Sequence, residues 1–434
     1  MQPTECDFPS FGRAVQFWLK LGLISFGGPA SQIAIMYREL VETKRWMDDR
    51  HFMSALNFCM LLPGPEAQQL ATYLGWRLHG AKGGIVAGTL FVLPSAFVLL
   101  GLSWLFMAGN QLWWVKAIFH CLLGAVIAIV LDAIFRIGRR ALRSRCLITL
   151  AAISFVAIYF FNVSFILIVY CAGIVGWVGN RRWPEQFPTT RSHGKTKDAE
   201  NVVDVALPSM PPATWIRSIK VIAVCVSLWW VPIVTLGSAL GWSSTPAQQG
   251  LFFSKAALVT FGGAYAVLPY VAQQAVENYS WLDHTQMMSG LALAESTPGP
   301  LIMVLQFVGF VGGWQHPGML EPWTAALICS AITTWVTFIP SFLFVFLGAP
   351  WIESIAKFPR LEATLTAITA CVVGVILNLG VKFTMAALWP GRDHLDYFVG
   401  IVAVIAFAFI WKLKTPLIQI ILATAATGIV WNSF

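Results

Sequence analysis

The chain is short of charge: 28 Lys and Arg and 20 Asp and Glu make up only 11% of its 434 residues. A soluble globular protein of this length carries roughly 110 charged side chains. The deficit removes most of the polar surface that a water-soluble fold needs. No Cys-x-x-Cys pair, metal-ligand constellation, nucleotide-binding loop or nucleophile–base arrangement occurs. The first residues are acidic (Glu5, Asp7) and lack the basic segment, apolar core and small-residue cleavage site of a secretory signal. A soluble enzyme, a nucleic-acid binder and a disordered scaffold are therefore disfavoured. The excess of +8 does not argue for nucleic acid, because the basic residues cluster between apolar runs as in cytoplasmic loops. What the sequence does have is 57% apolar residues, 35 Gly, 20 Trp and 31 Phe, the composition of a multi-span helical membrane protein. Its eight cysteines lie mostly inside apolar runs and read as buried spectators.

The sequence repeats itself. Ser25-Phe26-Gly27-Gly28 returns as Thr260-Phe261-Gly262-Gly263, an offset of 235 residues. At the same offset Lys20 meets Lys255, Trp46 meets Trp281, Asp48 meets Asp283, and Pro63-Gly64-Pro65 meets Pro298-Gly299-Pro300. Pro94-Ser95 then answers Pro340-Ser341, and Cys121 and Gly124 answer Cys371 and Gly374 at slightly larger offsets. So many matches in order imply a tandem duplication. The expected organisation is a first repeat over 1–180, a polar Pro-rich linker over 181–215, a connecting span over 216–237 and a second repeat over 238–434.

A single connecting span turns the second repeat upside down. Charge counts agree with that orientation. Segments 38–50, 77–82 and 136–145 hold eleven Lys and Arg, while their counterparts over 273–285, 312–323 and 386–396 hold only Arg392. The remaining loops reverse the bias, with Lys116 alone in the first repeat against Lys357, Arg360, Lys412 and Lys414 in the second. The positive-inside rule then places the N-terminus and the linker in the cytoplasm and makes the halves inverted repeats.

Apolar runs over 83–105 and 115–135 are long enough to span a hydrocarbon core of roughly 30 Å. The segments before them are not. Residues 11–26 and 30–45 flank Phe26-Gly27-Gly28-Pro29, and 51–62 and 66–79 flank Pro63-Gly64-Pro65. These read as two re-entrant helical hairpins, with the same design around Gly262-Gly263 and Gly299. The expected fold is thus an all-α polytopic membrane protein, a tandem inverted-topology repeat with broken re-entrant helical hairpins in each half. Glycine and proline interrupt the helical ladder and leave free N–H groups where the next half-helix begins. Lipid cannot satisfy those donors, but an oxyanion at a helix N-terminus can. Packing kinks between small residues are the alternative.

The expected substrate-binding residues are Lys20, Ser25, Gly27, Gly28, Pro63, Gly64, Gln68 and Gln69, with Lys255, Thr260, Gly262, Gly263, Thr297, Pro298 and Gly299 in the second half. The lysines supply charge for a dianion, or else snorkel to the interface. Glu66 and Glu295 border the breaks and are the expected proton carriers, with nothing to choose between them. Asp132 and Lys382 fall at equivalent positions and are expected to cap the interface rather than to pair. His51, Arg77 and His79 are expected on solvated cytoplasmic edges.

Ser25-Phe-Gly-Gly-Pro-Ala30, Glu39-Leu-Val-Glu42, Arg45-Trp46, Leu62-Pro-Gly-Pro-Glu66 with Gln69-Leu-Ala-Thr-Tyr73, and Gly75-Trp-Arg-Leu-His-Gly80 closely resemble the long-chain chromate ion transporter family. Thr260-Phe-Gly-Gly-Ala264 and Glu295-Ser-Thr-Pro-Gly-Pro300 resemble its second domain. The resemblance implies a bacterial plasma-membrane protein that expels chromate, confers resistance to it and draws on the proton motive force. Chromate, protons and the lipid bilayer are the implied partners, without nucleic acid, cofactor or metal. A homodimer is one open oligomeric state. A sulfate or other oxyanion permease and a passive anion channel are the alternatives.

Overall fold

A computed structural model describes residues 9–109, 111–187, 214–351, 359–390 and 394–431. Most of the expected linker (188–213), and with it Cys6, Lys357 and Arg392, lies outside the described residues. Every regular element among the described residues is helical.

The first half runs α1 (Phe11–Ile24), α2 (Gly28–Tyr37), α3 (Asp49–Cys59), α4 (Glu66–Ala108), α5 (Trp113–Ala141), α6 (Arg145–Phe161) and α7 (Phe165–Arg182). The connecting helix α8 (Trp215–Leu240) follows. The second half runs α9 (Thr245–Val259), α10 (Ala264–Ala272), α11 (His284–Ser296), α12 (Val304–Gln315), α13 (Pro322–Gly348), α14 (Pro359–Leu388), α15 (Tyr397–Leu413) and α16 (Leu417–Trp431). Five helices (α4, α5, α8, α13 and α14) are long and apolar enough to cross a membrane.

Local chemistry sets the short helices. Asp48 caps α3 by accepting from the His51 amide at 2.7 Å. Asp283, 235 residues on, caps α11 in a full capping box with Gln286. Both α2 and α10 end in a single π turn, Arg38–Thr43 and Gln273–Asn278, and both turns lead to a left-handed residue, Arg45 and Ser280. The halves differ in one respect. In α4 the chain bends at His79 and Gly80 and continues as one element with arms over 66–78 and 81–108, whereas α12 and α13 are separate.

The long helices exchange partners between halves. α5 packs on α15 and α16, and α14, its counterpart, packs on α6 and α7. Glycines allow the approach: a Cβ on Gly124 would lie 2.8 Å from the Val399 carbonyl, and one on Gly374 would overlap the Ala151 carbonyl. Gly374→Leu is expected to lose about 1–3 kcal/mol through overpacking, read as a lower Tm of the detergent-solubilised protein. An unchanged Tm would mean that α6 and α14 separate at no cost.

Large apolar side chains such as Phe160, Phe161, Tyr170 and Val404 stay exposed, as lipid-facing residues do. Among the described residues no cysteine forms a disulfide: Cys59, Cys121, Cys225, Cys329 and Cys371 are buried, and Cys171 is exposed on α7. Arg77 is buried, contrary to the expected solvated edge, and the His79 ring reaches the Pro9 carbonyl at 2.9 Å. The start of α1 covers this end of the α4 first arm.

Candidate functional site

The broken segments of the two halves cross one another. The Gly64 amide donates to the Thr260 carbonyl at 2.8 Å, and the Gly299 amide donates to the Ser25 carbonyl at 2.8 Å. Each bond is the other moved by 235 residues, so the pair is reciprocal. All four residues are buried. Gly64 has φ +126° and Gly299 φ +99°, a region open to glycine, which is why Pro-Gly-Pro can present its amide sideways. The Ser25 and Thr260 hydroxyls turn back to the Leu21 and Ala256 carbonyls, both at 2.6 Å. They terminate their helices and have spent their protons there.

Two more serines complete the crossing. Ser95 and Ser341 follow the prolines inside α4 and α13. Ser341 lies against Gly64 and Ser95 against Gly299, each across the halves. Both hydroxyls are buried without a hydrogen-bond partner, a costly arrangement unless a polar ligand or water visits them. Gln69 donates to the Pro63 carbonyl at 2.7 Å and Gln68 to the Thr72 hydroxyl at 3.1 Å, leaving both amide oxygens unpaired.

Glu66 opens α4, and its carboxylate lies 3.8 Å from where a Cβ would stand on Gly263, at the start of α10. The charge of Arg140 acts on it, and among the described residues it forms no hydrogen bond or ion pair. Glu295, at the end of α11, accepts from the Tyr265 hydroxyl, and both are buried. The two carboxylates therefore border the same short stretch, Glu66 at Gly263 and Glu295 at Tyr265. The arrangement is asymmetric, because the first half has Ala30 and Met60 at the positions of Tyr265 and Glu295, and Leu301 stands opposite Glu66.

The structure thus gathers Ser25, Pro63, Gly64, Gln69, Thr260, Gly299, Glu66, Gly263 and Glu295. Gln68 lies behind them on α4, and the Thr297 hydroxyl bonds back to the Ala294 carbonyl at 3.1 Å. Pro298 is buried beside Gly299, whereas Gly27 and Gly28 are half-buried and Gly262 is exposed. Lys20 and Lys255 stand apart. Lys20 lies on the outward face of α1 with Leu19 and Leu23, and Lys255 is exposed on α9. Exposed charges contribute about 0–1 kcal/mol, so Lys20→Gln with Lys255→Gln is expected to raise KM for the transported anion less than about fivefold. A larger rise in liposome flux assays would place the ammonium groups at the anion after all.

Some residues escaped the sequence. Gln32 reaches from α2 to the Gly299 carbonyl at 2.5 Å and the Ser25 carbonyl at 3.3 Å, and its only signal was a lone amide in an apolar helix. Tyr265 had no signal beyond its closeness to Gly263. Lys382 pairs with Glu277 in the π turn, beside a cavity of about 10 Å³ lined also by Gln273, His284 and Asn378. Asp132 instead faces Arg136 on its own helix.

The family described as Chromate transporter matches this chain over residues 13–177 and again over 247–429. The chain is 31% identical over 437 residues to a chromate transport protein of Pseudomonas aeruginosa, covering 98% of this chain and 93% of the relative. It is 28% identical over 416 residues to a chromate transport protein of Cupriavidus metallidurans, covering 95% and 91%. An uncharacterized transporter of Methanocaldococcus jannaschii is 24% identical over 418 residues, covering 96% and 93%. No solved structure matches the chain.

Proposed function

Because the chain belongs to the chromate transporter family, we propose that it exports chromate across the bacterial plasma membrane in exchange for protons, and so confers chromate resistance. The two halves act as inverted repeats, with the N-terminus and linker cytoplasmic. The anion sits where the broken segments cross, taken by the Ser95 and Ser341 hydroxyls and by first-turn amides of α2 and α10, with Lys20 and Lys255 drawing it in from their outward faces. The reading is carried by the reciprocal pair from Gly64 to Thr260 and from Gly299 to Ser25. These bonds join the four half-helix breaks in two pairs, one from each half in each pair, as in secondary transporters whose sites form at discontinuous helices. When the halves rock, this pair opens on one side and the anion takes its place. Glu66, beside Gly263 at the start of α10, carries the coupling proton at the same helix terminus that the anion uses.

The test uses purified protein in liposomes, following chromate flux with and without an imposed pH gradient and with sulfate as competitor. Flux that reverses with the pH gradient supports proton-coupled exchange. Flux indifferent to the gradient and incapable of building a concentration difference would establish a passive anion channel instead. Complete competition by sulfate would make the protein a general oxyanion carrier.

A further inference from the structure

Arg136 looks in sequence like one of the cytoplasmic loop charges, yet it is half-buried against the site. Its guanidinium stands over the Tyr265 ring, 5.9 Å from the centroid. Tyr265 is the second residue after Gly263, and its hydroxyl donates to Glu295. The Arg136 Nε is 3.8 Å from the Asp132 carboxylate, an ion pair too long for a hydrogen bond. Among the described residues no hydrogen bond uses any of its five N–H donors. A ring face attracts the positive charge but leaves the donor edge open. The neighbouring Arg139 is engaged differently, lying 4.6 Å over the Trp411 ring on the outer side. Lys20 and Lys255 face outward and Arg140 acts on Glu66, while Arg136 is the basic side chain set over Tyr265 in the 263–265 stretch.

We propose that Arg136 is the residue that binds the charge of the transported oxyanion. The planar fork matches two oxygens of a tetrahedral dianion, as a point-charge ammonium does not. Asp132 and Glu295 hold the guanidinium in place when the site is empty, and Asp132 is displaced when the anion arrives. Tyr265 sets the depth at which the fork sits and shields it from lipid. This assignment rests on the transport reading above and names the cation of the same site.

Arg136→Gln, Arg136→Lys and Asp132→Asn of the full chain in liposomes test it, with chromate and sulfate as probes. Losing a charged hydrogen-bonding partner is expected to raise KM in Arg136→Gln about tenfold or more, with a smaller rise in Arg136→Lys. Asp132→Asn is expected to lower KM, because it removes the carboxylate that competes with the anion. A merely structural arginine would give no such gain. Sulfate is also expected to raise the Tm of the wild-type protein and not that of Arg136→Gln. A KM within twofold of wild type in Arg136→Gln would overturn the assignment, as would an unchanged or raised KM in Asp132→Asn. If Arg136→Gln does not fold, Asp132→Asn and Arg136→Lys decide. A wild-type protein that moves neither anion would sink the transport reading alone, and the sulfate-dependent Tm shift would then decide for Arg136.

Discussion

Gly64→Leu and Gly299→Leu are each expected to abolish transport and to lower the Tm more than any other single change near the site. Two costs add. Gly64 at φ +126° and Gly299 at φ +99° hold conformations that disfavour L side chains, a strain of about 1–2 kcal/mol. A Cβ on Gly64 would come 2.6 Å from the Ser341 hydroxyl and 2.7 Å from the Gln69 amide nitrogen, and one on Gly299 would come 2.6 Å from the Ser95 Cβ. Relief of that overlap costs about 1–3 kcal/mol more, and it moves the amide away from the opposite half's carbonyl. Even alanine should show most of the effect. Gly101→Ala, where a Cβ meets nothing within 4 Å, should leave both Tm and flux unchanged. Comparable flux in Gly64→Ala and wild type would show that the crossing is not needed for transport.

Glu66→Gln is expected to leave chromate binding in place while removing the response to a pH gradient. Coupling between two binding events is commonly worth about 1–3 kcal/mol, so gradient-driven flux should fall by about tenfold or more. Glu66 is the proposed carrier because among the described residues it has no hydrogen-bonded partner, and it lies beside Gly263. Glu295 is held by Tyr265 in a buried pair. Breaking such a pair leaves a buried polar group uncompensated, so Glu295→Gln should lower the Tm and Glu66→Gln should not. Gradient-driven flux that survives in Glu66→Gln but is lost in a folded Glu295→Gln would exchange the two roles.

The positions of the breaks were legible because glycine and proline act on their own backbone. Gly27, Gly64, Gly262 and Gly299 all have positive φ, and each lies in the break between two consecutive helices. The offset of 235 residues also carried over to features that no composition signals, such as the π turns and the left-handed Arg45 and Ser280. Side-chain direction was not legible. Lys20 and Lys255 share their offset, but which face of α1 and α9 packs inward depends on helices far along the chain. Arg136 was hidden for the opposite reason: α5 is 29 residues long, so a residue that sequence places in the loop lies on the helix, against Tyr265. The pairing of Lys382 with Glu277 joins residues 105 apart, a distance at which pattern reading is blind.

The exchange of helices between halves has a consequence for biosynthesis. During synthesis α6 and α7 enter the membrane long before α14, the helix they pack on, has been made. The small-residue face of α7, at Ala172 and Gly176, must wait in lipid or against a chaperone until the second half arrives. The first half therefore cannot reach its final packing alone, and a ribosome that stalls in the linker leaves an incomplete protein. Two separately made halves, by contrast, have every surface needed to assemble with each other.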